Sequence, residues 1–351
     1  MSGKKNLIDL TQVTRTSFLA LTLVLAVVLI GLWFRGDNSP EIDKTLEFSA
    51  QALAQPQVRN GKDFDLSITS IPADQILRGG PKKDGIPAIS NPKFVPAGSG
   101  DFMKPNDRVI GVVVESKARA YPIRVLNYHE IINDEINGVP IAITYCPLCD
   151  SVSVFDRRTP DGTREFGVSG LLFNSNVLMY DRGGESENLW SQLMATGVSG
   201  KTDKVPLRTL PVSLTSWKEW RNQHPDTELQ SLDTGFNRDY SQSPYRRYFE
   251  SSELMFSVNH KDDRLPPRTK VIGAWTSKSR IAIPETLFAG MTSETTIQAE
   301  LDGMKFAVRF LPESQSMLVT EADPGLQWMY SFWFAWSAFH PSTQIYPASA
   351  L

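Results

Sequence analysis

"VIGVVVESKARAYP", Val109 to Pro122, decides the reading, because the chain writes it twice. "VIGAWTSKSRIAIP", Val271 to Pro284, matches it without a gap. Val-Ile-Gly, a later Ala and the closing Pro coincide. In the first stretch, two apolar runs flank Glu115-Ser116-Lys117, the pattern of a β-hairpin. Further matches follow in the same order. "NGVPIAITYCP", Asn137 to Pro147, aligns with "DGMKFAVRFLP", Asp302 to Pro312. "WKEWRNQHPDT", from Trp217, aligns with "WFAWSAFHPST", from Trp333, giving W-x-x-W-x-x-x-H-P-x-T twice. Ordered self-similarity of this kind marks a repeated unit. The expected fold is mainly β (α+β) with short helices, around an internally duplicated β-rich core. Each copy, about 109–229 and 271–345, is read as a hairpin, a third strand and a short helix ended by His-Pro.

The repeat sorts residues by role. His224 and His340 hold equivalent places in the last helical turn before Pro, a helix stop that suits the helix dipole. The paired Trp residues stand at i,i+3 and pack one helix face into the core. Copy one carries a much longer segment, Leu148 to Ser216, between third strand and helix. Cys146 aligns with Leu311, no residue aligns with Cys149, and copy two has no His near the place of His129. The scaffold does not require these three residues, so they are candidates for function.

The chain has 351 residues, 41% of them hydrophobic, enough for two ordinary domains or one large β-rich one. A net charge of -3 argues against a nucleic-acid partner, which needs clustered positive charge. Phe18 to Phe34 contains no charge and is just long enough to span a bilayer core. Lys4, Lys5 and Arg15 precede it, and Asp37, Glu41 and Asp43 follow. The positive-inside rule then keeps residues 1–17 in the cytoplasm and exports the rest. A cleaved signal peptide competes, but its small-x-small site at Ala52 to Ala54 lies far beyond the apolar run. The expected layout is a signal anchor at 18–34, a polar linker at 35–62 and an exported domain at 63–351. In a bacterium that is a single-pass inner-membrane protein with a periplasmic or extracellular C-terminal domain.

Both cysteines lie in "YCPLCDSVSVFD", Tyr145 to Asp156. C-x-x-C serves metal, redox and disulfide roles alike. In a thioredoxin-like site the first Cys opens a helix. Here "SVSVFD" alternates and reads as a strand. Strand, tight turn with two thiols, strand is the shape of a metal knuckle. His129 in "LNYHEIIND" is the leading third ligand, with Met179 or His260 as a fourth. Two thiolates and an imidazole suit zinc or copper, and a Met ligand tilts to copper. Asp156-Arg157 and Asp181-Arg182 each end a strand and read as exposed ion pairs. "GVSGLLFNSN", Gly167 to Asn176, is rich in small polar residues and suits a pocket wall. No G-x-S-x-G, H-E-x-x-H or Rossmann glycine pattern occurs.

"YPIRVLNYHEIIND", "YCPLCDS", "FGVSGLLFNSNVLMYDR", "LWSQ" and "DDRLPPRTKVIG" resemble the domain of unknown function 3179 family, in order, from about Asp74 to Tyr346. The resemblance implies no activity. The family motif reads C-P-L-C-G where this chain has Asp150, and Gly takes positive φ more cheaply than Asp. The leading function is therefore a Cys2His site of His129, Cys146 and Cys149, serving metal binding or metal-assisted chemistry on a small molecule. Thiol-disulfide exchange by the cysteines is the alternative. A third reading is a non-catalytic envelope interaction module with a local disulfide and a protein partner.

Overall fold

The computed structural model describes residues 64, 66–184 and 187–347. The expected anchor at 18–34 lies outside them. Among the described residues no helix is long and apolar enough to cross a membrane. The described chain is mainly β with a few short helices.

One plan is drawn twice. In the first half β1 (Arg108–Val114) and β2 (Lys117–Pro122) form the hairpin, and α1 (Ile123–His129) follows. A meander of β3 (Ile131–Ile136), β4 (Val139–Cys146) and β5 (Ser151–Asp156) comes next. An inserted hairpin ladder is built from β6 (Phe166–Phe173), β7 (Asn176–Asp181) and β8 (Leu189–Ser191). Then β9 (Ser213–Ser216) returns antiparallel to β1. Helix α2 (Trp217–Gln223) follows, and β10 (Glu228–Gln230) runs parallel to β2. A long connection, 231–269, carries only the short α3 (Arg246–Glu250).

The second half repeats this without the insertion. Strands β11 (Lys270–Trp275) and β12 (Arg280–Pro284) form its hairpin. Strands β13 (Thr295–Leu301), β14 (Met304–Leu311) and β15 (Ser316–Ala322) form its meander. Strand β16 (Gln327–Phe332) pairs antiparallel with β11. Helix α4 (Trp333–Phe339) follows, and β17 (Gln344–Ile345) runs parallel to β12. Strand β5 pairs with β16, so the first meander continues the second half's sheet. Strand β15 in turn lies against β9.

Turn chemistry explains the equal registers. β3 and β4 are joined by Asn137-Gly138 at φ 51 and 74, β13 and β14 by Asp302-Gly303 at φ 52 and 82. Positive φ at both central residues makes a two-residue turn whose twist matches the strands. Four residues link β4 to β5 and β14 to β15, with Asp150 at φ 45 and Gln315 at φ 51 in the last place. This register aligns Cys149 with Ser314, a position where the second copy carries no thiol.

The W-x-x-W-x-x-x-H-P-x-T motif has a contact behind each letter. The second Trp lies on the hairpin glycine: a Cβ on Gly111 would stand 2.2 Å from Trp220, and one on Gly273 2.4 Å from Trp336. The indole N–H donates to the motif's Thr, Trp220 to Thr227 at 2.9 Å and Trp336 to Thr343 at 3.0 Å. The His ring packs tilted against the same Trp, with ring centres 4.1 Å apart for His224 and 4.2 Å for His340. Each His is the helix cap, and burial lowers its pKa, to about 3 in His340. A neutral ring packing on Trp, rather than a cation on the helix dipole, is what the motif supplies.

Candidate functional site

The two cysteines meet at the β4–β5 turn. The Cys149 backbone N–H donates to the Cys146 carbonyl at 3.2 Å, closing a tight turn between them. Both side chains are buried and free. The Cys149 sulfur donates to the Ser175 carbonyl at 3.1 Å, and the Cys146 sulfur lies 4.0 Å from the same oxygen. Burial raises the Cys149 thiol pKa well above its usual value, and a hydrogen bond with Cys146 adds to it.

Ser175 reaches the thiols because of its turn. Phe173 pairs with Asn176, so β6 and β7 are joined by Asn174-Ser175, at φ 47 and 63. That left-handed geometry turns the Ser175 carbonyl toward the sulfurs. "GVSGLLFNSN" is thus a buried strand ending in the turn that supplies the thiols' acceptor. Beside it a buried amide knot holds the sheets together. Asn176 and Ser151 both donate to the Gln192 side-chain carbonyl, at 2.8 and 2.6 Å, and the Gln192 amide donates to Thr144 at 3.0 Å.

Asp150 tolerates its positive φ because its carboxylate is held. Arg108 donates to both oxygens at 2.9 Å, and the Tyr145 hydroxyl donates at 3.0 Å. A bidentate pair of this kind fixes orientation as well as adding energy.

The structure does not bring His129 to the cysteines. It ends helix α1 rather than sitting in a loop, and both ring nitrogens are engaged. Nδ1 lies 2.7 Å from the Pro87 carbonyl and Nε2 2.6 Å from the Tyr240 hydroxyl. Burial pulls its pKa down to about 4, the Pro87 bond opposing. Met179 shares the apolar core with both cysteines, whereas His260 is half-buried in the 231–269 connection. Among the described residues no group of three or more His, Cys, Asp or Glu side chains is placed to hold a metal ion. Zinc, which wants at least three protein ligands, does not fit this donor set.

Glu130, next to His129, was not singled out from sequence. Burial raises its carboxyl pKa to about 7, and the Tyr245 hydroxyl donates to it at 3.2 Å. The Tyr248 hydroxyl donates to the Leu148 carbonyl, inside the C-x-x-C turn, at 2.7 Å. The two Asp-Arg dipeptides are not internal pairs. Asp156 is buried and takes hydrogen bonds from Arg158 and Arg208. Burial alone would raise its pKa, but those bonds hold it at about 2. Arg157 instead donates to the Ile141, Arg164 and Asp134 carbonyls. Asp181 accepts from Asn188, and Arg182 pairs with Asp84.

The chain belongs to the family described as protein of unknown function (DUF3179), whose model matches residues 83–325. No curated protein and no solved structure matches the chain.

Proposed function

We propose that Cys146 and Cys149 are a thiol-disulfide exchange pair. One observation carries the reading: two reduced sulfurs face one carbonyl oxygen across a single tight turn. Such a pair needs no third ligand, and His129 supplies none. In the exchange, one thiol loses its proton and its sulfur attacks a substrate disulfide R–S–S–R′, releasing R–S⁻. The second thiol loses its proton, and its sulfur attacks the mixed disulfide and releases R′–S⁻. Two electrons leave the dithiol, and the two protons end on the released thiols. The strand after the motif sets this site apart from a thioredoxin-like one, where a helix N-terminus activates the thiol. Residues 18–34 would anchor the domain on the exported side of a membrane, where disulfides persist.

The test is a titration of the full-length protein, purified without chelator, in mixtures of reduced and oxidised glutathione. Free thiols and bound metal are counted on the same sample. One two-electron couple, lost in Cys146→Ser and in Cys149→Ser, is expected. Thiols that stay unreacted over the whole range would sink the proposal. About one copper per chain masking both thiols would redirect it to soft-metal binding with Met179 as the nearest further donor.

A further inference from the structure

The dithiol is covered by a segment that belongs to neither half. Residues 231–269 run between β10 and β11 with one short helix and no strand. Connections this long without structure of their own are commonly lids or binding loops. Here the stretch 240–259 crosses the C-x-x-C turn and is fastened on both sides of it. On one side three tyrosine hydroxyls tie it to the end of helix α1, to Glu130 and to the C-x-x-C turn. Tyr240 meets His129, Tyr245 donates to Glu130, and Tyr248 donates to the Leu148 carbonyl. On the other side the Asn174-Ser175 turn holds the stretch by its side chains. The Ser175 hydroxyl donates to the Phe256 carbonyl at 2.9 Å, and the Asn174 side-chain carbonyl accepts from the Asn259 N–H at 2.8 Å. Arg268 bonds the Tyr248 and Glu253 carbonyls, at 2.9 and 2.7 Å, bracing the stretch from behind.

Ser175 therefore has two duties. Its backbone carbonyl receives the Cys149 thiol, and its side chain ties down the cover. Beneath these ties Tyr245, Tyr248 and Phe256 are buried in the same apolar core as the cysteines, but the stretch contributes no strand to any sheet, whereas the strands beneath are joined by full ladders. A segment without ladder bonds opens locally at less cost than a sheet. With the stretch in place both sulfurs are fully buried.

We propose that the stretch 240–259 is the gate of the dithiol, that Ser175, Tyr245 and Tyr248 are its latch, and that it admits small disulfides in preference to folded proteins. The proposal rests on the exchange reading for its substrate class. Its test reads access alone.

Full-length protein, wild type and variants, is labelled under native conditions. The probes are N-ethylmaleimide and a maleimide carrying a polyethylene glycol chain, with each cysteine followed by mass spectrometry. Ser175→Gly is the decisive variant. Glycine takes the positive φ of this turn freely, so the hairpin and the carbonyl on the thiols are kept while the tie to Phe256 is lost. Tyr248→Phe removes the tie to Leu148 and keeps the ring. Each is expected to raise the labelling rate about fivefold and the pair together about twenty-five-fold, the effect of losing one ordinary hydrogen bond each. Wild type should favour the small probe, and the double variant should narrow that preference. Rates that do not change, or that rise only as far as the urea midpoint falls, would overturn the gate. Because the glutathione couple is measured separately, flat labelling with an intact couple overturns the gate alone. A responsive gate over thiols with no couple overturns the exchange reading.

Discussion

Acid is expected to loosen this fold through His340. Its ring packs tilted against Trp336 with centres 4.2 Å apart, and its Nε2–H donates to the Leu193 carbonyl at 3.0 Å. Burial, with the Arg280 charge behind it, pulls its pKa from 6.5 to about 3. The unfolded chain therefore takes up this proton near the ordinary value, and the folded chain only far below it. Stability present above the unfolded value is lost as pH falls toward the folded one. Between about pH 7.5 and about pH 5 this one group costs about 2 kcal/mol. For a domain of this size that is a shift in Tm of about 3 °C. His340→Gln keeps an N–H donor and never charges. The assay is thermal and urea unfolding of both proteins at the two pH values. The glutamine protein will be weaker throughout for want of the packed ring, so the pH-induced loss is compared within each protein. Wild type should lose about 2 kcal/mol more than the variant between the two pH values. Equal losses would refute the claim that His340 is buried neutral on Trp336.

Gly111→Ala and Gly273→Ala each push a methyl into the indole of Trp220 or Trp336. Each should cost about 1–3 kcal/mol in urea unfolding, and by similar amounts, since the contact is the same in both halves. Asp150→Gly removes the Arg108 pair and the positive-φ cost together, whereas Asp150→Ala keeps the cost. The alanine variant should be the less stable by about 1 kcal/mol, and equal stabilities would mean that Asp150 is not held at φ 45. If residues 18–34 are an uncleaved anchor, the full chain will stay with membranes through an alkaline wash, and a chain starting after residue 34 will not.

What was legible in the sequence was local. Asn137-Gly138 and Asp302-Gly303 name their turns, and the Trp, His and Thr of each half sit at one fixed spacing because a single indole touches both partners. The cysteine pair is equally local, since one turn makes it. The rest of the site is assembled across long gaps that leave no periodic trace. Ser175 comes from the insertion, Arg108 from the first hairpin, and Tyr245 and Tyr248 from the connection. His129 misled for the same reason: closeness in sequence suggested a ligand, but Tyr240, far along the chain, holds the nitrogen that a metal would need. Asp156 and Asp181 likewise pass over the arginines beside them, because neighbours on a strand point to opposite faces.

The second half offers a control for the site that the first half contains. Its four-residue turn, Pro312 to Gln315, repeats the length, the register and the last-place positive φ of the C-x-x-C turn, with Leu311 and Ser314 where the cysteines stand. Nothing equivalent to the Asn174-Ser175 turn covers it, because the insertion is absent from this half. Ser314 instead lines a small open cleft of about 70 Å³ with Arg108, Lys270 and Tyr330. Leu311→Cys with Ser314→Cys, in a Cys146→Ser/Cys149→Ser background, moves the motif onto a turn that the stretch 240–259 does not cross, with position 311 buried and position 314 half-buried. Loss of the buried Leu311 should cost about 2–3 kcal/mol, which the fold must survive for the comparison to hold. The transplanted pair should then close to a disulfide in oxidised glutathione, and the half-buried position 314 should react with maleimide faster than either native cysteine. The register and the last-place positive φ are shared, so the comparison reads chiefly what lies over the turn. Transplanted thiols as slow as the native ones would mean that the turn itself, and not the stretch 240–259, protects the sulfurs.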